Sequence, residues 1–307
     1  MSQAVQFSEY GTPEKLSVVD LPAPAPGPGQ VRLAVRAASV NPIDWKILRG
    51  LMAQGAALEQ PRGLGSDVAG VVEALGEGVE GIAVGDEVLG ATVTGAFAAE
   101  ALADAASLVP KPAAVAWEVA GSLAGVGGTA FKTLELLDVK PGETLLVHAA
   151  AGGVGSIWVQ LALARGIRVI GTASEANHER LHGYGAEPVL YGDGLVERVR
   201  ALAPDGVDAV LDASGRGELA ASVELAGGPE RILSIAGFAE APGLGVRVHV
   251  GGGGADTPRA LRELLPLVEA GKLDIPIAQT YPLAGVADAL RASEAGHLTG
   301  KLVIVPA

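Results

Sequence analysis

The chain has 307 residues, 49% of them hydrophobic and 19% charged, a composition that supports a large buried core and excludes intrinsic disorder. A net charge of −13, with no basic run interleaved with aromatics, argues against nucleic acid and against a membrane surface as partner. The absence of cysteine excludes disulfides, thiolate nucleophiles, iron–sulfur clusters and thiolate zinc sites.

No apolar run reaches transmembrane length and no N-terminal secretion signal stands out, so a cytoplasmic protein is expected. Up to about Pro110 the chain reads as short strands separated by Pro and Gly turns at β-barrel spacing: Ala4 to Phe7, Leu16 to Asp20, Val31 to Ala37, Val68 to Leu75 and Asp86 to Leu89. LPAPAPGPGQ, Leu21 to Gln30, is a stiff extended connector between two of them.

Beyond Pro110 strands and helices alternate. Leu145 to Val147 is a short apolar run suited to a parallel strand covered on both faces. The turn Ala151-Gly152-Gly153 follows, with the two glycines expected to supply unusual backbone angles. Val154, Ile157, Trp158 and Leu161 then recur at helical spacing, and Gly166 is a helix C-cap. Gly155 lets the helix approach the strand. Such a strand, turn and helix form the first half of a dinucleotide site, with free helix N–H groups facing the pyrophosphate, although Ala150 replaces the first glycine of G-x-G-x-x-G. The alternative is a glycine-rich turn in an ordinary α/β domain.

The next strand, Arg168 to Thr172, ends without the acid that holds the adenosine ribose in NAD-preferring sites. Ala173 stands there instead. Ser174, Asn177, His178 and Arg180 would receive a 2′-phosphate, so NADP(H) is expected over NAD(H), unless Glu175 bends back. His178 and Arg180 read equally well as a solvated helix start. Asp208 to Asp212 and Arg231 to Ile235 are further buried strands, the first followed by Ser214 and Gly215 on the adenine side or in a simple turn. Val246 to Val250 is expected as the marginal strand, its alternating valines inviting edge pairing into a homodimer. Gly251 to Gly254 reads as a flexible exit, followed by a helix near Pro258 to Ala270 and a last strand, Leu302 to Val305. Of five histidines only His178 and His182 pair at helical spacing, with nothing else to mark a metal site, and none is expected.

Four segments carry a resemblance that spans nearly the full length: AASVNPIDWKILRG (Ala37 to Gly50), GSDVAGVVEALGEGVEGIAVGDEV (Gly65 to Val88), HAAAGGVGSIWVQLA (His148 to Ala162) and TGKLVIVP (Thr299 to Pro306). The chain resembles the zinc-free medium-chain dehydrogenases/reductases of the quinone oxidoreductase, or zeta-crystallin-like, group. The resemblance implies an α/β architecture: a Rossmann doubly wound parallel sheet, residues 117–255, plus a GroES-like β-barrel domain built from residues 1–116 and 256–307, with the active site in the cleft.

The same resemblance places Ser39 where zinc-dependent relatives have Cys, and Ser66-Asp67 where they have His-Glu, so hydrogen-bond donors must replace the metal. It makes Asn41, Asp44, Trp45 and Lys46 candidates for the catalytic segment, with hydride passing from a reduced nicotinamide to a quinone or enone. Trp45 stands where relatives often carry tyrosine; an indole donates a hydrogen bond but no proton. The other reading of Asn41, Asp44 and Trp45 is turn chemistry with an aromatic anchor. Thr129 matches the family threonine near the pyrophosphate, and Ala124 replaces a usual proline. A methyltransferase would need an acid at Ala173, a short-chain reductase Tyr-x-x-x-Lys and a serine hydrolase G-x-S-x-G, and this chain has none of them. A cofactor-binding protein of the same family without turnover is the competing function.

Overall fold

A computed structural model describes residues 2–53, 55–250, 254–296 and 298–306. The chain divides into two compact units, residues 1–128 with 253–307, and residues 129–252. The first crossing falls at 128/129 rather than 116/117, inside the long helix α2 (Trp117–Leu137), because the first half of that helix packs on the barrel unit. There Gly121 lies against the Ala37 carbonyl and Gly125 against the Asp67 carboxylate.

The barrel unit contributes β1 (Ser2–Phe7), β2 (Leu16–Leu21), β3 (Gln30–Val40), β4 (Arg62–Gly63), β5 (Asp67–Leu75), β6 (Glu87–Ala91), β7 (Glu100–Asp104) and β8 (Val109–Pro110) before α2. Helix α1 (Pro42–Leu48) leaves directly from the end of β3. β3 is the hub: β5 and β7 pair antiparallel along it, and a strand from the far end of the chain closes its last residues. Alternate residues of β3, Val31, Leu33 and Val35, point into one apolar core with Phe7, Val68, Val88 and Phe97.

The second unit holds β9 (Thr144–His148), α3 (Gly153–Ala164), β10 (Arg168–Thr172), α4 (His178–Tyr184), β11 (Glu187–Val189), α5 (Leu195–Leu202), β12 (Ala209–Asp212), α6 (Leu219–Ala226), β13 (Ile232–Ser234), α7 (Ala241–Leu244) and β14 (Arg247–Val248). Its six-stranded parallel sheet runs β11-β10-β9-β12-β13-β14, so the order reverses at β9, where ligands bind in open α/β sheets. Leu146, Ile170, Val210 and Ile232 face α5 and α6, while Ile157, Trp158 and Leu161 of α3 bury themselves on the other side. This is the Rossmann doubly wound arrangement. The chain then returns to the barrel through α8 (Thr257–Glu269), β15 (Ile277–Tyr281), α9 (Val286–Ala295) and β16 (Lys301–Ile304), and β16 pairs antiparallel with β3.

The marginal strand is shorter than the valine pattern suggests. Only Arg247 and Val248 pair with β13, and Val246 is buried while Val248 and Val250 are exposed, so the three valines do not share one face. Most of the expected glycine exit, residues 251–253, lies outside the described residues, as does His297. Among the described residues no helix is long and apolar enough to cross a membrane.

Candidate functional site

In the second unit the glycine turn sits at the carboxyl end of β9, the central strand. Gly152 has φ −76°, an angle open to any residue, and the left-handed conformation falls instead on Ala149, at φ 54°. The expectation that the glycines supply the unusual angles is therefore corrected. Ala149 is held there by its N–H donating to Thr172 Oγ1 (3.2 Å) and by its carbonyl accepting from Gly152 N–H (3.0 Å). Gly155 is needed for space: a Cβ there would lie 2.2 Å from the Ala149 carbonyl oxygen. Gly152 is the N-cap of α3, Gly153 and half-buried Val154 open its first turn, and no side chain caps this end. Ala151 is buried beside them. An uncapped helix N-terminus at a topological switch point fits a pyrophosphate.

Ala173 is buried at the end of β10, its N–H donating to the Val189 carbonyl (3.0 Å). Ser174 Oγ accepts from Asn177 Nδ2 (3.1 Å), and His178 opens α4 with a shielded Nε2 that has no partner among the described residues. Arg180 is half-buried on the same helix and Glu175 is exposed. After β12, Asp212 Oδ1 accepts from the N–H groups of Ser214 (2.8 Å) and Gly215 (3.2 Å), which fixes Gly215 at φ 62°. Thr129 is buried within α2, its carbonyl accepting the Thr133 hydroxyl, which in turn accepts from Trp158 Nε1 (2.7 Å).

In the barrel unit a buried polar cluster gathers where β3, β5 and β16 meet. Asp67 Oδ2 accepts from Ser39 Oγ and from Asn41 Nδ2, both at 2.8 Å. Lys301 Nζ donates to Asn41 Oδ1 (2.6 Å) and to the Val40 carbonyl (3.1 Å). Asn41 therefore has its acceptor and a donor committed inside the protein. Lys301, which nothing in the local sequence marked, is only 4% exposed. Three of the residues standing where metal ligands would be expected, Ser39, Ser66 and Asp67, thus belong to or adjoin a cluster already holding an internal cation. No group of three His, Asp or Glu side chains among the described residues could hold a metal.

Asp44 reaches back to the Asn41 N–H (2.8 Å) at the start of α1. Its carboxyl is pushed up to about 7, first by burial and then by the charge of Asp67, against the opposing pull of backbone N–H groups and Lys301. The ordinary value is 3.8, so the folded state keeps a proton that the unfolded chain releases, and the stability this gives is present in acid and lost as pH rises through 7. The unfolding free energy of the unmodified protein relative to Asp44→Asn should fall by ~2–3 kcal/mol between about pH 5 and about pH 9. Urea unfolding at a series of pH values checks this, and a flat difference would show Asp44 ionised throughout.

Trp45 packs its ring against the barrel core, and its Nε1 is shielded from solvent with no acceptor among the described residues. Lys46 Nζ lies 5.5 Å from the Trp45 ring centroid, and partial burial holds its ammonium below the usual lysine range. Arg49, just past α1, forms a two-pronged pair with Glu294 of α9 (3.1 and 2.9 Å), which ties the segment to the barrel.

Comparison with known proteins agrees with this construction. The alcohol dehydrogenase GroES-like domain family matches residues 27–113 and the zinc-binding dehydrogenase family residues 184–304. A quinone oxidoreductase from Pseudomonas aeruginosa is 34% identical, with 100% of both chains covered. Among solved structures, a Pseudomonas syringae quinone oxidoreductase superposes with a TM-score of 0.88 at 32% identity over 100% of both chains. The Escherichia coli quinone oxidoreductase complexed with NADPH gives 0.88 at 27% identity, covering 99% of this chain and 100% of that one. With its GroES-like barrel, its Rossmann unit and full-length similarity of this order, the chain belongs to the quinone oxidoreductase family of medium-chain dehydrogenases/reductases.

Proposed function

We propose that this protein is an NADPH-dependent, zinc-independent reductase that transfers hydride to a quinone or an α,β-unsaturated carbonyl. The observation that carries the reading is the uncapped N-terminus of α3 at the strand-order reversal, closed by Gly155 and followed by a β10 end with no acid. Thr129, Ala151, Gly152, Gly153, Val154 and Gly155 would hold the dinucleotide, with Ser214 and Gly215 on the adenosine side. When bound, NADPH would supply the hydride, and water or another residue would supply the proton that completes the reduction. The chain's own part is to bind and orient: the α3 amides take the pyrophosphate charge, and donors of the 41–46 segment polarise the acceptor carbonyl. Because Asn41 is tied to Asp67 and Lys301, it positions that segment, and we assign the donor role toward the acceptor to the Trp45 indole, whose N–H has no acceptor among the described residues. Asp44 and Lys46 flank it.

The test is to mix purified protein with NADPH and a panel of quinones and enones, with a strong chelator present, and follow absorbance of the reduced nicotinamide. Turnover that survives chelation is expected. Tight NADPH binding with no turnover on any acceptor would assign the protein to cofactor binding instead.

Ser174, Asn177, His178 and Arg180 should favour a 2′-phosphate. One charge-assisted hydrogen bond contributes about 1.5–3 kcal/mol, so NADPH should bind roughly ten- to a hundredfold more tightly than NADH. Ala173→Asp should erase or reverse that order in calorimetric titrations. Equal binding of both by the unmodified protein would mean that Glu175 turns to the ribose. The exposed Val248 and Val250 at the sheet margin support a homodimer through that edge, for which light scattering should give twice the single-chain mass at micromolar concentration.

A further inference from the structure

Four adjacent strands of the parallel sheet end in a buried polar side chain. Thr172 closes β10, His148 β9, Asp212 β12 and Ser234 β13, with Asp212 in register opposite both His148 and Ser234. Packing alone would put aliphatic residues there, since each buried polar group must find partners or lose its hydration uncompensated. All four have partners. The Ser222 hydroxyl donates its one proton to the Glu218 carbonyl (2.8 Å), so at 2.9 Å it can only accept from His148 Nε2. Thr172 Oγ1 accepts from the Ala149 N–H and lies 3.2 Å from His148 Nδ1. With the ring proton on Nε2, Nδ1 accepts the Thr172 hydroxyl proton, and every group in the chain is satisfied.

From this geometry we propose that His148 is a positioning residue for the cofactor: its Nε2–H tautomer orients the Thr172 hydroxyl, which holds Ala149 in the left-handed conformation that aims the amides of Gly152 to Gly155. The inference rests on the reading of that turn as the dinucleotide site. Ala149 is a non-glycine residue at positive φ, a conformation that persists only where surrounding bonds enforce it. Its N–H bond to Thr172 is one such bond, and its carbonyl packs directly on Gly155. Burial keeps the His148 ring below its ordinary value despite the nearby charges of Asp212 and Glu218. Those carboxylates are themselves engaged by neutral donors, Asp212 by the N–H groups of Ser214 and Gly215 and the Ser234 hydroxyl, and Glu218 by the Ser214 hydroxyl and the Arg216 N–H.

The experiment combines NADPH calorimetry on the unmodified protein, Thr172→Val, Thr172→Ser and His148→Phe with steady-state kinetics and 15N NMR of the histidine rings. Thr172→Val and His148→Phe should each weaken NADPH binding roughly tenfold, with the loss in KM for NADPH rather than in kcat. Thr172→Ser keeps the hydroxyl and should restore affinity. In the unmodified protein His148 should show a protonated Nε2 and an unprotonated Nδ1, and the Ala149 amide should be protected from exchange until Thr172 becomes Val. Unchanged NADPH affinity in Thr172→Val, or a His148 ring protonated at Nδ1, overturns the proposal. Failure of the unmodified protein to bind NADPH would overturn the cofactor reading, while the ring tautomer and amide exchange still report whether His148 and Thr172 hold Ala149.

Discussion

Replacing Lys301 by Met is expected to lower the unfolding free energy by about 3–5 kcal/mol, far more than a lysine-to-methionine change on the surface. Met matches the lysine stem in length, so the loss comes from the charge and its bonds. Without the ammonium, the Asn41 amide oxygen and the Val40 carbonyl lose their donor, and the buried Asp67 carboxylate loses the charge of Lys301. The penalty for stranding a buried charge exceeds what the pair contributes when intact. Adding Asp67→Asn to Lys301→Met should therefore recover a large part of the loss, since an amide still accepts from Ser39 and Asn41 without a charge to compensate. Urea unfolding of the single and double variants measures both values. Additive losses in the double variant would mean that Lys301 and Asp67 do not compensate one another.

Lys301 also marks the limit of what the sequence discloses. In TGKLVIVP a lysine at the start of a strand reads as solvent-facing, and its burial follows from the antiparallel register of β16 on β3, which places Leu302 opposite Val40 and brings Lys301 to Asn41. That pairing joins residues 260 positions apart. Local pattern cannot encode it. The Rossmann unit was legible because strand, turn and helix are contiguous and each has its own periodicity: the expected strand Arg168 to Thr172 has the bounds found, and Ile157, Trp158 and Leu161 are buried as their spacing implies.

The other departures from the sequence pattern likewise have causes distant in sequence. β7, with the sequence EALAD, lacks the β-branched and aromatic residues that announce a strand and forms because β3 offers it an open edge. Val246 to Val250 has that composition, but only two residues find a partner. Gly152 and Gly153 mark the turn in the sequence, while its left-handed residue is an alanine whose N–H is held by Thr172, a residue of the next strand. Asn41, Asp44 and Trp45 were legible as a segment, and the helix start through Asp44 agrees with the turn chemistry read there. Their separate roles depend on Lys301 and Asp67.

Replacing Trp45 by Phe is expected to reduce kcat by about a hundred- to a thousandfold, the effect of removing one donor that stabilises charge developing on an acceptor oxygen. The Trp45 Nε1–H is shielded from water and has no partner among the described residues, a condition that costs about 1–3 kcal/mol in the absence of a ligand. The neighbouring Asn41 is less available, because it donates to Asp67 and receives Lys301. Phe keeps an aromatic ring against the barrel core and against Lys46 while removing only the N–H and the second ring, so NADPH affinity should stay close to that of the unmodified protein. Trp45→Tyr distinguishes donor from filler: a phenol both donates a hydrogen bond and can release a proton, so this variant should retain turnover or exceed it. Steady-state kinetics on quinone and enone acceptors, with NADPH saturating, give the comparison. If Phe and Tyr variants lose activity equally, the ring's bulk is what matters and the donor role passes to Lys46; a Phe variant within about threefold of the unmodified kcat would remove Trp45 from the chemistry altogether.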